Sequence, residues 1–195
     1  MNREIEIKIP LTQSEYESLF SKINEPPFTK PEHLYKSDTY FSRYKTRQER
    51  DASNEPRVIR IRTEETLDQS EPSKKSYFCL KRKTIENGIE FNAENETFIE
   101  DEKVLEQFFE VGGYTKYFQK NKDAFSTYNG DFHLELEKVN GMCYVEIEVT
   151  TSTLPAETVR QNLEAFVKEL GLDSSKRDSR SWMEIILENK EKSDS

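Results

Sequence analysis

The feature that most constrains this chain is the strict alternation of charged and aliphatic residues over residues 4–9. Because successive side chains of a β-strand point to opposite faces, Glu4, Glu6 and Lys8 share one face and three isoleucines share the other. Antiparallel sheets commonly contain such strands, with one face in water and the other against a core. The first segment therefore predicts an amphipathic strand with a charged face.

Charged residues also alternate with apolar ones in later segments. Arginines take the charged positions at residues 58–62, lysines at 77–83, and glutamates at 131–139 and 142–151. Gathered by face, the strand charges are Glu4, Glu6, Glu94, Glu96, Glu135, Glu137, Glu146 and Glu148 against Lys8, Arg60, Arg62, Lys81, Lys83, Lys120 and Lys122. The third and fourth strands carry bases, whereas the first, seventh and eighth are mainly acidic, so the charges are sorted by strand.

Helical spacing and punctuation residues predict the remaining elements. A capping box at residues 12–15 opens one helix, Gly112-Gly113 ends a second, Pro155 and Gly171 bracket a third, and residues 181–187 form the last. Strands are predicted at 4–9, 35–41, 58–62, 77–83, 89–99, 118–128, 131–139 and 142–151. Residues 42–56 and 63–75 are polar without a pattern and are predicted to be loops, the second of them mobile.

Two Asn-Gly dipeptides, at residues 129–130 and 140–141, predict two-residue hairpin turns between the last three strands. With these turns, Lys122 faces Glu137 and Glu135 faces Glu146. Two carboxylates placed in this way repel by about 3 kcal/mol at about 5 Å and an effective dielectric near 20. A divalent cation would offset the repulsion, and oxygen-only ligands select Mg²⁺ or Mn²⁺. The alternative is that these faces point to solvent, where the repulsion is screened.

Composition limits the number of domains and the class of partner. The 195 residues fit one domain, which we place at residues 1–188, followed by a charged and disordered tail at 189–195. The net charge of −9 argues against a general binder of nucleic acid duplexes, because phosphate backbones demand a basic surface. Two cysteines are too few for a disulfide framework, and no apolar N-terminal run indicates a signal or a membrane span. We therefore expect a cytoplasmic protein.

The aliphatic faces indicate which way the charged faces point. Each strand carries apolar residues opposite its charges, and the predicted helices are available to cover these residues from outside. The charged faces would then enclose a polar tunnel. In such a tunnel the basic residues would bind a polyanion and the acidic wall would hold metal ions. We interpret Cys79 and Cys143 as packing residues. His133 would fall on the tunnel face, and we interpret it as a strand residue instead of a catalyst.

The chain resembles the CYTH domain, the superfamily of triphosphate tunnel metalloenzymes that includes class IV adenylyl cyclases, thiamine triphosphatases and inorganic triphosphatases. Six motifs follow in the family's order over about residues 1–187: Glu4-x-Glu6-x-Lys8, Asp38-Thr39-Tyr40-Phe41, Arg60-x-Arg62, Leu80-Lys81-Arg82-Lys83, Lys120-x-Lys122, and Glu137 with Tyr144-Val145-Glu146-Ile147-Glu148. The chain departs from the family in carrying Lys122 where Arg is usual and Glu137 where Asp is usual. Trp182 stands where the family often has Tyr in a C-terminal helix that plugs or lines the tunnel.

The resemblance implies an α+β fold, an eight-stranded antiparallel β-barrel with a charged interior and helices packed outside. It implies a triphosphate held with Mg²⁺ or Mn²⁺ as cofactor. The implied metal ligands are Glu4, Glu6, Glu146, Glu148 and Glu137, and the implied triphosphate-binding residues are Lys8, Arg60, Arg62, Lys81, Lys83, Lys120 and Lys122. Lys8, Glu4 and Glu6 are the implied catalytic residues, with Lys8 positioning the triphosphate or the attacking water.

The function favoured by the resemblance is hydrolysis of inorganic triphosphate, or of an organic or nucleoside triphosphate, by a divalent-metal-dependent triphosphatase. One alternative is a class IV adenylyl cyclase, which makes cyclic AMP and pyrophosphate from ATP and needs a nucleoside pocket that no motif here indicates. A second alternative is a non-catalytic module that binds polyphosphate or a nucleotide. The expected partner is a small molecule containing a triphosphate, without nucleic acid or membrane, and the family suggests a homodimer.

Overall fold

The computed structural model describes residues 3–53, 58–68, 73–86, 89–151 and 155–193. Within these ranges the strands are β1 (Arg3–Leu11), β2 (Glu32–Ser42), β3 (Val58–Thr66), β4 (Lys74–Glu86), β5 (Ile89–Ile99), β6 (Thr115–Asn129), β7 (Phe132–Val139) and β8 (Met142–Thr151). The helices are α1 (Gln13–Ile23), α2 (Arg47–Ala52), α3 (Glu102–Val111), α4 (Ala156–Glu169) and α5 (Trp182–Ser193), with a 3-10 turn at Ser174–Lys176.

The eight strands form one closed antiparallel barrel in the order β1-β5-β4-β3-β2-β6-β7-β8. Closure pairs β1 with both β5 and β8, so that every strand has a neighbour on each side and the sheet has no free edge. The predicted fold, an α+β structure built on an eight-stranded antiparallel barrel, is confirmed. None of the helices in the described ranges is long and apolar enough to cross a membrane.

The aliphatic faces of the strands point outward, as the sequence predicts. Ile5, Ile7 and Ile9 of β1 are at most 1% exposed and pack with apolar residues of β7, β8, α1 and α4. Burial of each such side chain contributes about 1.5–3 kcal/mol to folding. A second cluster lies on the opposite side of the barrel, where Phe109 of α3 packs against β2, β3 and β4. The helices therefore cover the outside and leave the charged faces to the interior.

Two segments predicted as loops contain regular structure. Within residues 42–56, a capping box between Thr46 and Glu49 starts the short helix α2. Within residues 63–75, β3 continues to Thr66 and β4 begins at Lys74, and their ends pair as Glu64↔Lys75 and Glu65↔Lys74. The paired residues are charged and do not alternate with apolar ones, so the periodicity that marks the other strands is missing here. Residues 54–57 and 69–72 lie outside the described ranges.

The two predicted hairpins differ in their outcome. Asn140 and Gly141 both have positive φ, at 50° and 79°, and the resulting register pairs Glu135 with Glu146 as predicted. In the first hairpin Asn129 still pairs with Phe132, so the turn consists of Gly130 and Asp131. Gly130, at φ 59°, takes the first central position, the place of the glycine in a type II′ turn. The predicted pairing of Lys122 with Glu137 is therefore wrong, because Glu137 pairs with Ala124.

The last helix closes one end of the barrel. α5 continues to Ser193, so the predicted end at residue 187 is too early and the helix extends into the charged C-terminal segment. Trp182, Ile185 and Ile186 of α5 pack against Val139 and Tyr144, two side chains at the ends of β7 and β8. This contact places the indole of Trp182 against the charged interior.

Candidate active site in the charged tunnel

The barrel encloses a cavity of about 850 Å³ whose wall is formed largely by charged side chains. Of the twelve residues that the sequence predicts for the site, eleven line the cavity: Glu4, Glu6, Lys8, Arg60, Arg62, Lys81, Lys83, Lys120, Lys122, Glu146 and Glu148. Glu137 is fully buried behind this surface. The predicted charged interior is therefore present, and its acids include two groups of three converging carboxylates.

The first acidic group consists of Glu4 and Glu6 on β1 and Glu148 on β8, with one oxygen from each carboxylate within 4.8 Å of the others. The Nζ atom of Lys81 lies 3.1 Å from Glu4 Oε2 and 3.4 Å from Glu6 Oε2. His133 Nδ1 is 2.8 Å from Glu148 Oε1. The strand alternation creates this group, because Glu6 and Glu148 are direct partners across β1 and β8.

A single lysine, Lys81, contacts two of the three carboxyls of this group, and their pKa values respond to it differently. Burial raises the pKa of Glu4 to about 8 despite the opposing effect of Lys81, and the Glu148 carboxylate raises it further. Burial has the largest effect on Glu6 and acts in the same direction, but Lys81, a hydrogen bond with Glu90 and the charge of Lys8 together outweigh it, so the pKa of Glu6 is lowered. The group contains only carboxylate oxygens, the ligands that Mg²⁺ and Mn²⁺ prefer, so its donor set fits the implied metal ion.

The second acidic group consists of Glu135, Glu137 and Glu146, also with oxygens within 4.8 Å of one another. Lys122 lies among them: its Nζ atom contacts Glu135 Oε2 and is 2.7 Å from Glu137 Oε2 and 3.4 Å from Glu146 Oε2. Lys36 contacts the other oxygen of Glu135. The predicted repulsion between Glu135 and Glu146 is therefore offset by lysines of the protein itself.

The basic wall is organised around one buried carboxylate, Asp38 of β2. Arg62 donates to both of its oxygens, from Nε at 2.7 Å and from Nη2 at 3.1 Å. Lys120 Nζ lies 3.2 Å and Arg60 Nη1 3.7 Å from Asp38 Oδ2. Burial would raise the pKa of Asp38, but Arg62, Arg60 and Lys120 together hold it well below its usual value. Asp38 thus fixes the positions of three cations.

Lys8 and Lys83 are two further cations of the tunnel wall. Lys8 Nζ donates to the backbone carbonyl of Arg180 at 2.6 Å and lies 5.1 Å from the centre of the Trp182 ring. Lys83 Nζ contacts Glu90, and Glu90 on β5 is the residue paired with Glu6 on the neighbouring strand β1. Burial, with the charge of Glu6, raises the pKa of Glu90 to about 8.

The sequence analysis gives no functional role to several residues that belong to the site. The wall includes Lys36, Tyr40 and Glu90, and the buried residues that contact it include Asp38 and Asn92, whose Nδ2 atom donates to Glu6 at 3.1 Å. The alternation of Lys36, Asp38 and Tyr40 on β2 is a signal that could have found three of them.

Cys79 contacts the charged wall, and His133 faces the interior as predicted. Cys79 Sγ donates to Glu94 Oε1 at 2.7 Å, and burial raises the pKa of its thiol to about 12. His133 lies in the cavity wall, where its ring nitrogens contact Glu148 and Ser126 Oγ. The interpretation of Cys79 as an ordinary packing residue is therefore incomplete, because this thiol is buried within the charged wall.

Trp182 connects α5 to the acidic residues. Its Nε1 atom donates to Glu146 Oε1 at 2.9 Å, and its ring lies 5.1 Å from the ammonium groups of both Lys8 and Lys120. Tyr144 packs on the indole in an edge-to-face arrangement. The side chain therefore forms part of the floor of the tunnel and also holds one of its carboxylates.

Solved structures of similar fold include PH1819 protein from Pyrococcus horikoshii OT3, with a TM-score of 0.76 and 20% identity over 95% of this chain and 99% of that one. A candidate adenylate cyclase from Vibrio parahaemolyticus has a TM-score of 0.69 and 18% identity over 94% and 97%. HpAC1 from Hippeastrum, an adenylyl cyclase candidate with a dominant triphosphatase activity, has a TM-score of 0.64 and 21% identity over 97% and 96%.

At these identities the structural likeness shows the fold. The search of curated proteins gives no match to the chain. The model of the CYTH domain family, in contrast, matches residues 2–182, which is most of the sequence. The chain therefore belongs to the CYTH domain family.

Proposed function

We propose that this protein is a divalent-metal-dependent triphosphatase that hydrolyses a linear triphosphate inside the tunnel. The observation that carries the proposal is the position of Lys81, whose ammonium bridges the carboxylates of Glu4 and Glu6 at 3.1 and 3.4 Å. The basic wall and the first acidic group therefore meet within one enclosed cavity. A triphosphate bound to the cations would present its oxygens to a metal ion held by the carboxylates.

Glu4, Glu6 and Glu148 would hold Mg²⁺ or Mn²⁺, since their oxygens already converge and a single lysine, Lys81, contacts two of them. When bound, the ion supplies Lewis acidity and neutralises charge on the phosphoryl group that is transferred. The sequence analysis also names Glu146 and Glu137 as metal ligands. In the structure these two carboxylates belong to the second acidic group. Phosphoryl transfer otherwise requires positioning and electrostatic stabilisation, both of which the protein's side chains can provide.

The basic side chains would bind the phosphate oxygens and keep the chain of phosphates extended. Arg60, Arg62 and Lys120 are held in place by Asp38, so little conformational entropy is lost when they bind an anion. Lys81 and Lys83 would exchange their carboxylate partners for phosphate oxygens. Lys8, anchored on the carbonyl of Arg180, would orient the terminal phosphate or the attacking water.

The substrate is tested by incubating the protein with inorganic triphosphate, ATP and thiamine triphosphate under Mg²⁺ or Mn²⁺ and resolving the products. We expect orthophosphate from at least one of them and no cyclic AMP. The dominant triphosphatase activity of HpAC1, a structure of the same fold, supports this expectation. Pyrophosphate together with cyclic AMP from ATP would indicate a cyclase, and binding of all three compounds without any product would indicate a binding module.

A further inference from the structure

The second acidic group already contains a cation that belongs to the protein. We propose that the ammonium of Lys122 takes the place of a second divalent ion among Glu135, Glu137 and Glu146, so that the tunnel binds one metal ion, at the first acidic group. This inference rests on the proposed function, because it assumes the metal centre at Glu4, Glu6 and Glu148. It removes Glu137 and Glu146 from the metal ligands and Lys122 from the phosphate-binding residues.

The contacts of Lys122 support this assignment. Its Nζ atom contacts Glu135 and lies 2.7 Å from Glu137 and 3.4 Å from Glu146, so one ammonium reaches all three carboxylates. An ammonium is a compact point charge with three donors, which suits a position among three acids, whereas a guanidinium donates in a planar fork. A lysine at this position, where the family usually has arginine, is consistent with this role.

Burial distinguishes Lys122 from Lys81, the lysine of the first acidic group. The side chain of Lys122 is 2% exposed, and Glu137 is not exposed at all. Lys81 is 16% exposed and contacts Glu94 as well, at 3.1 Å, so it has another carboxylate partner when a metal ion binds Glu4 and Glu6. Displacement of Lys122 would instead leave a buried ammonium without a carboxylate, which is costly.

Charge compensation gives an independent argument. Two lysines contact the second group, since Lys36 reaches one oxygen of Glu135 while Lys122 reaches the other. The indole of Trp182 donates to the remaining oxygen of Glu146. In the first group, Lys81 contacts two of the three carboxylates and is shared with Glu94. The third carboxylate of the first group, Glu148, contacts His133. One lysine thus serves the first group and two serve the second, so the first group is the better site for a divalent ion.

The inference is tested by counting bound Mn²⁺ ions. Metal-free protein is titrated with Mn²⁺ in the absence of substrate, and electron paramagnetic resonance measures how many ions bind. We expect one ion for the wild type and two for Lys122→Ala, which removes the ammonium and opens space among the three carboxylates. Lys120→Ala is the matched control, because Lys120 is an equally buried lysine on the same face of β6 but pairs with Asp38. It is expected to bind one ion. Two ions in the wild type, or one in a folded Lys122→Ala protein, would overturn the inference.

Two further variants keep the test decisive if Lys122→Ala does not fold. Glu137→Gln should bind one Mn²⁺ ion with affinity within about threefold of the wild type, whereas Glu4→Gln should bind at least tenfold more weakly. Loss of Mn²⁺ affinity in Glu137→Gln would contradict the inference. A wild-type protein that binds no Mn²⁺ would overturn the metal centre of the proposed function as well, whereas two bound ions would overturn the inference alone.

Discussion

Arg62 forms a bidentate ion pair with Asp38, in which Nε donates to Oδ1 at 2.7 Å and Nη2 donates to Oδ2 at 3.1 Å. The Asp38 carboxylate is completely buried. Arg60 and Lys120 approach the same carboxylate from neighbouring strands. Such a charge is stable inside a protein because it is paired and hydrogen-bonded. Asp38 consequently determines both the stability of this part of the barrel and the geometry of its basic wall.

Asp38→Asn should therefore lower the free energy of unfolding at pH 7 by about 3–5 kcal/mol, the usual effect of removing one partner of a buried ion pair. The folded-state pKa of Asp38 lies well below the usual 3.8, so its stabilising effect is present above that pH and is lost as pH falls through the folded value. Urea denaturation at pH 7 and below pH 3.8 measures the difference, which should shrink in acid. The exposed Asp131→Asn is the control, and an equal effect of both changes would contradict this role.

Glu4→Gln should abolish metal-dependent turnover while leaving the fold intact. The pKa of Glu4 is about 8 without metal, so the neutral amide resembles the protonated carboxyl that predominates at pH 7. We expect thermal unfolding within a few degrees of the wild type, and turnover lower by about 100-fold or more, since metal stabilisation of the transition state is worth several kcal/mol. Phosphate release under Mg²⁺ measures it, with the exposed Glu17→Gln as control. Retained turnover in Glu4→Gln would exclude Glu4 from the metal centre.

Trp182 should report on triphosphate binding, because it is the single tryptophan of the chain and lies close to Lys8 and Lys120. A triphosphate that draws these ammonium groups away from the ring should change the fluorescence of the indole. Titration with inorganic triphosphate measures the change, and orthophosphate at the same concentration should produce little of it. Unchanged emission at concentrations where calorimetry detects binding would place the phosphates elsewhere.

Cys79 should resist thiol reagents in the folded protein. With a pKa of about 12, its thiolate fraction at pH 8 is about 1 in 10,000, and we expect labelling about a thousandfold slower than in the unfolded chain. A Cys143→Ser variant isolates this thiol, and release of a chromophoric thiol reagent with and without urea measures both rates. Fast labelling of the folded variant would show that the wall around Cys79 opens to solvent.

The sequence is sufficient to predict most of the fold because its signals are local. The alternation in β1, the capping box at Thr12 and the helical spacing of α4 each report the environment of a few neighbouring residues. The first hairpin shows the limit of such signals. Asn129-Gly130 and Gly130-Asp131 are both acceptable turn dipeptides, and the choice between them depends on how the flanking strands pair.

The candidate site was predicted less completely than the fold. Asp38 lies within a motif of the family, but its contacts with Arg60, Arg62 and Lys120 join three strands that are far apart in sequence. The position of Lys122 also depends on the third dimension. Its direct partner across the hairpin is not Glu137, yet its long side chain reaches Glu137 diagonally and Glu146 two strands away.

The sequence by itself determined which residues alternate, which faces are charged and that the aliphatic faces need a cover of helices, because periodicity is a property of each segment alone. Only the tertiary structure decided which carboxylates share which cation. Closure of the barrel brings Glu6 beside Glu148 and Glu90, and brings Lys122 among the second group of acids. Such contacts depend on the register of all eight strands together, so no single segment encodes the difference between the two acidic groups.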